Sequence, residues 1–198
     1  MTRTIFKKFT ARGVMLAAAV AMAGCSAGYT TGNSSSVLLI IAGINKGDVL
    51  KSDVLTDDGV FNDQVEVAIA VRFKNPNVET IPSIPNAVII DRYEVSYRRS
   101  DGRGVEGQDV PFRISGNTTA AFDVKSSGTD PLILEVVRLQ AKLEPPLRNL
   151  VSVTSNAGGG GGLVVTMFAD ITLHGHTISG QAVQANGTLQ IDFANFGG

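Results

Sequence analysis

One cysteine, two histidines and no tryptophan occur in this chain of 198 residues. A lone cysteine closes no intramolecular disulfide, so the fold has to stand on its core. Sugar binding usually relies on exposed aromatic platforms, and only 6 % of the residues are aromatic. Positive charge is scarce as well: the formal net charge is −1, without the clustered Lys/Arg that a nucleic-acid surface needs. No apolar run approaches the ~20 residues that span a membrane as a helix. Two motifs of chemistry are also missing. There is no G-x-S-x-G nucleophile elbow. The glycine run Gly158–Gly162 is followed by Leu163-Val164-Val165, whereas a phosphate loop requires Gly-Lys-Ser/Thr there. The chain therefore reads as no enzyme and no nucleic-acid binder.

What the N-terminus does contain is an export signal. Residues 1–24 carry Arg3, Lys7, Lys8 and Arg12 and no acidic side chain, and a ten-residue apolar run, Val14 to Ala23, leads into Met22-Ala23-Gly24-Cys25. A basic start, an apolar stretch of roughly 7–15 residues and small residues at the cleavage point define a secretory signal. The segment resembles a bacterial lipoprotein signal peptide, with Met22–Cys25 similar to its lipobox, although Met22 replaces the commoner Leu. That resemblance implies cleavage before Cys25 and a diacylglycerol on its thiol, so that the membrane is one partner. Ser26 rather than Asp after the cysteine implies the outer membrane. Without residues 1–24, 13 basic and 18 acidic residues remain, a net charge of −5.

Ser26–Ser36 is small, polar and rich in Gly and Ser, the composition of a flexible tether. The rest of the chain, 37–198, reads as one β domain. Val37–Ala42 is a continuous apolar run, expected as a strand buried on both faces. Val65–Phe73 alternates, with Val65, Val67, Ile69, Val71 and Phe73 on one side, the period of a half-buried strand. Val88–Arg99 alternates too, with Tyr93, Val95 and Tyr97 together, which gives both tyrosines a core role. Asp101-Gly102 marks a turn flanked by Arg98, Arg99 and Arg103. Short strands are expected at Val110–Ile114 and Thr118–Val124, separated by Gly116-Asn117, and again at Leu132–Val137. Arg138–Glu144 favours one short helical turn, ended by Pro145-Pro146. Leu163–Leu173 and Gly187–Phe193 alternate again. Several short strands with turn signals between them predict a mainly β chain: a single antiparallel β-sandwich of immunoglobulin-like architecture.

Five segments, YEVSYRRSDGR (Tyr93–Arg103), GQDVPF (Gly107–Phe112), LQAKLEPPL (Leu139–Leu147), ADITLHG (Ala169–Gly175) and GTLQIDFANF (Gly187–Phe196), resemble a group of uncharacterised bacterial lipoproteins with a sandwich-like body. The resemblance implies a lipoprotein and a β fold, and no activity.

Two clusters are candidates for metal chemistry. Lys51–Gln64 offers Asp53, Asp57, Asp58 and Asp63, hard oxygen donors of the kind calcium takes. The EF-hand pattern fails there, because Gly59 at loop position six puts Val54 at position one and Val65 at position twelve. His174 and His176, two apart, would share one face of a strand, but a third ligand is not evident. No cofactor is therefore expected. The sequence points to a non-catalytic, lipid-anchored envelope protein acting as a structural or interaction module with an unknown protein partner. The alternative is a lipoprotein binding calcium or a small envelope solute.

Overall fold

The alternation of Val65, Val67, Ile69 and Val71 turns these four side chains into the core from one face of a strand, Asp63–Phe73. The computed structural model describes residues 35–55, 59–75, 77, 84–154 and 163–196. Among them the chain is mainly β. Eight strands run in order as β1 (Val37–Ile44), β2 (Leu50–Asp53), β3 (Asp63–Phe73), β4 (Val88–Arg99), β5 (Ile114–Phe122), β6 (Asp130–Val137), β7 (Val165–Thr177) and β8 (Ala182–Ala194). Two helices, α1 (Leu139–Leu143) and α2 (Arg148–Thr154), lie between β6 and β7. None of the described helices is long and apolar enough to cross a membrane.

The strands form two sheets, ordered β1-β3-β6 and β2-β8-β7-β4-β5. One core cluster joins them. Val67, Ile69 and Leu134 from the small sheet and Val95, Ile171, Ile191 and Phe193 from the large one are all within it. Full burial of side chains of this size contributes about 1.5–3 kcal/mol each, so the two sheets hold each other. The Tyr97 hydroxyl also crosses the core, donating to the Val136 carbonyl at 2.7 Å.

Several expectations need correction. The sandwich is not wholly antiparallel: β2 pairs with β8 in parallel, Leu50 opposite Ile191 and Asp53 opposite Ala194. β1 is an edge strand rather than a strand buried on both faces. Val37 and Leu39 turn inward, and a bulge between Ile41 and Gly43 brings Ile44 back to the same face, opposite Val67. Val110–Ile114 forms no strand up to Ile114, although Val110 is fully buried. Gly116-Asn117 does not separate two strands either, because β5 runs straight through it. A Cβ on Gly116 would lie 2.3 Å from the Tyr93 ring, so the glycine makes room for the aromatic beside it. Finally, the one expected helical turn is followed, after the cis Pro145–Pro146 peptide, by a second helix.

Candidate functional site

The strand directions sort the connections to two ends of the body. Arg99 at the end of β4 pairs with Met167 near the start of β7. Val165 pairs with Phe193, and Asp63 at the start of β3 pairs with Val137 at the end of β6. The segments 54–62, 100–113 and 138–164 and the chain after Ala194 therefore leave from one end. From the other leave 74–87, 123–129 and 178–181. Ser35 and Ser36 lie at that second end: the Ser36 N–H donates to Gln181 Oε1 at 3.3 Å and its Oγ to Asn86 Oδ1 at 2.7 Å.

The first end is unusually apolar at its surface. Nine of the thirteen exposed large hydrophobic side chains described belong to its segments, including Phe61 and Phe112 (each 60 % exposed), Leu143 (53 %) and Leu163 (55 %). Scattered exposed apolar residues need no explanation, but a concentration of them does.

Phe112 is presented by a compact loop. The Gly107 N–H donates to the Val110 carbonyl at 2.8 Å and the Asp109 N–H to the Val105 carbonyl at 2.8 Å. Gly107 has φ +75°, and a Cβ there would come within 2.6 Å of the Phe112 ring. Glycine satisfies both demands, the left-handed backbone and the ring lying against it. Between this loop and α1 runs a cleft of about 120 Å³, lined by Pro111, Phe112, Ile114, Arg138, Ala141 and Pro145 among others. Ligand pockets for drug-sized molecules are about 300–1,000 Å³, so this one fits a single inserted side chain. Its guanidinium groups are held in place. Arg138 donates to Glu135 at 3.2 Å and to the Ser115 carbonyl at 3.3 Å, and Arg113 donates to Glu106 at 2.8 Å.

Beneath α1 lies a buried polar contact that the sequence reading missed. Lys142, only 2 % exposed, donates to Asp63 Oδ1 at 2.8 Å, while Ser52 Oγ donates to Oδ2 of the same carboxylate. Three elements, α1, β2 and β3, are thereby tied together under the exposed end. A lysine four residues into a polar-looking RLQAKLE carries no sequence signal that it points inward. On the turn after β4, partial desolvation pushes the Asp101 carboxyl up. The Arg103 N–H and the guanidiniums of Arg99 and Arg103 outweigh this and hold it below the ordinary carboxylate range.

Among the described residues the metal candidates are not brought together. Asp63 is committed to Lys142 and Ser52. Asp53 accepts the Leu55 N–H at 3.1 Å. Asp57 and Asp58 lie outside the described residues, as do Cys25, the expected signal over residues 1–24, residues 26–34 of the expected tether and the glycine run. His174 and His176 do share the outer face of β7, as two-residue spacing demands. Each faces a carboxylate of β4: His176 Nδ1 is 2.8 Å from Asp91, and His174 Nε2 is 3.8 Å from Glu94. No group of three or more His, Cys, Asp or Glu is arranged to hold a metal among the described residues. Compared with protein-family models, curated proteins and solved structures, the chain matches none.

Proposed function

We propose that this is a non-catalytic, lipid-anchored protein of the bacterial cell envelope. It is held at the outer membrane through Cys25 and engages a protein partner with the end of the sandwich that carries Phe112. The body is read as immunoglobulin-like, a two-sheet scaffold presenting loops at its ends. One observation carries the interaction reading: the described chain begins at one end of the body, and the exposed apolar side chains gather at the other. An anchor attached before Ser35 would leave the Phe112 end free to reach a partner. Interfaces draw on exposed aromatic side chains and on arginine, both of which line the Phe112 cleft.

Two measurements test this together. Palmitate labelling and membrane fractionation of the wild type and Cys25→Ala address the anchor: label and outer-membrane recovery are both expected to vanish in the variant. A photo-crosslinking amino acid placed at Phe112 or Leu143, with Ile178 at the opposite end as control, addresses the surface. Adducts confined to the first two positions support the reading. An unlabelled, soluble wild type would remove the anchor, and equal adducts at Ile178 would remove the proposed end.

A further inference from the structure

The two outer faces of the sandwich differ in kind. That of the five-stranded sheet is polar and internally paired: Arg98 bonds to Asp170 at 3.0 Å, and Thr188 donates to the same carboxylate at 2.7 Å. That of the three-stranded sheet carries Leu38 and Ile40 from β1, Ala68 and Ala70 from β3, and Pro131 and Ile133 from β6. The register sets them side by side, Ile40 against Ala70 and Ala68 against Pro131. Ile133 is 56 % exposed and Leu38 38 %. The run VLLIIA has the composition of a strand covered on both faces, and its outer face is covered only in part: Leu38 and Ala42 are exposed and Ile40 is half-buried, while Ala70 beside it on β3 is 6 % exposed.

Charge placement on the central strand says what would cover the other. On this outer face β3 reads Glu66, Ala68, Ala70, Arg72. Glu66 has no ion-pair partner among the described residues. Among the described residues Arg72 donates only to backbone carbonyls, those of Val71 and Gly128. The pattern is self-complementary about its midpoint. A two-fold axis lying between two stacked sheets, across β3 and midway between Ala68 and Ala70, sets Arg72 of one copy over Glu66 of the other, twice. The small alanines at the centre let the sheets close to the usual ~10 Å. Rotation about an axis along the strands would instead oppose Glu66 to Glu66 and Arg72 to Arg72.

We propose that the outer face of the β1-β3-β6 sheet binds a second copy of this chain, strands antiparallel across the interface, through the apolar strip and two reciprocal Arg72–Glu66 pairs. An isologous contact of this kind closes as a dimer. A face three strands wide is small, so the association belongs with weak interfaces and a micromolar dissociation constant. The two Ser35 ends then lie at opposite ends of the dimer. The nine residues from Ser26 to Ser34 reach at most about 30–32 Å when extended, so both copies can anchor in one leaflet with the dimer's strands lying along its surface. The inference concerns the body and stands whether or not Cys25 is lipidated.

Sedimentation velocity of the full chain in mild detergent, from about 1 to 200 μM, tests it. The wild type is expected to shift from monomer to dimer. Glu66→Arg and Arg72→Glu should each weaken dimerisation about ten-fold or more, because each sets like charges opposite, and Ile133→Asp should abolish it. The double reversal Glu66→Arg/Arg72→Glu should recover the wild-type constant to within about three-fold, which also shows that the single changes did not unfold the chain. A wild type that stays monomeric throughout overturns the proposal. So does a dimer indifferent to these variants, or a double reversal that fails to recover.

Discussion

At the scale of single residues, the most costly group in the body is Lys142, whose ammonium is nearly inaccessible and has the Asp63 carboxylate as its ion partner. Removing one member of a buried pair costs about 3–5 kcal/mol, whereas replacing both with apolar groups of similar volume is often neutral. Lys142→Ala is therefore expected to lower unfolding stability by about 3 kcal/mol in urea, with Lys142→Met/Asp63→Leu regaining most of it. Equal losses in the single and double variants would show instead that the pair itself stabilises the fold relative to apolar side chains. Two further groups give the stability a pH dependence of opposite sign. Burial raises the Tyr97 phenol above its ordinary range. Its contribution is thus complete below the unfolded value, about 10, and is lost as pH rises beyond it. Tyr97→Phe should flatten that alkaline loss while giving up about 1 kcal/mol of hydrogen bond to Val136. Asp101 is held low, so its contribution is present above the unfolded carboxylate value, about 3.9, and fades as pH falls below it. Asp101→Asn should remove that acid-side slope, read as the change in melting temperature between neutral and acidic buffer.

At the scale of elements, β3, β4 and β7 are legible in the sequence because one face of each meets the core and the other meets water, which writes period two into the residues. β2 is not. Four residues long, it joins the large sheet only by pairing with β8, far along the chain, and a run such as LKSD holds no local trace of that partner. The bulge after Ile41 and the passage of β5 through Gly116 were hidden for the same reason. In a sequence, a glycine that makes a turn and a glycine that makes room look alike. The distinction is testable. Gly116→Ala would drive a methyl into the Tyr93 ring and should cost about 1–3 kcal/mol as overpacking. A turn glycine with positive φ would lose about 1–2 kcal/mol through backbone strain instead, a loss that no single neighbour shares. Gly116→Ala combined with Tyr93→Ala should be less than additive, since the two share one contact.

At the scale of the whole molecule, both sheets draw on one core, and α1 is locked to β2 and β3 by the Lys142 contact. Such a body should unfold as one unit. Far-UV circular dichroism and tyrosine fluorescence are expected to report the same midpoint in urea. Two separated transitions would mean that the three-stranded and five-stranded sheets do not share their stability. A single transition that rises with protein concentration would instead accord with self-association, since binding to the folded state raises apparent stability.

The class of structure and the places where apolar faces had to be hidden follow from the residues in order along the chain. Periodicity and turn chemistry are local properties, written residue by residue. The basic start and apolar run before Cys25, on which the proposed lipid anchor rests, are local in the same way. Which strands are neighbours, that Lys142 and Asp63 meet across 79 positions, and that the exposed aromatics collect at the end away from Ser35 emerge in the folded body alone. These depend on pairing between distant segments. That pairing is fixed by how two sheets fill one core, and no short stretch of chain contains it.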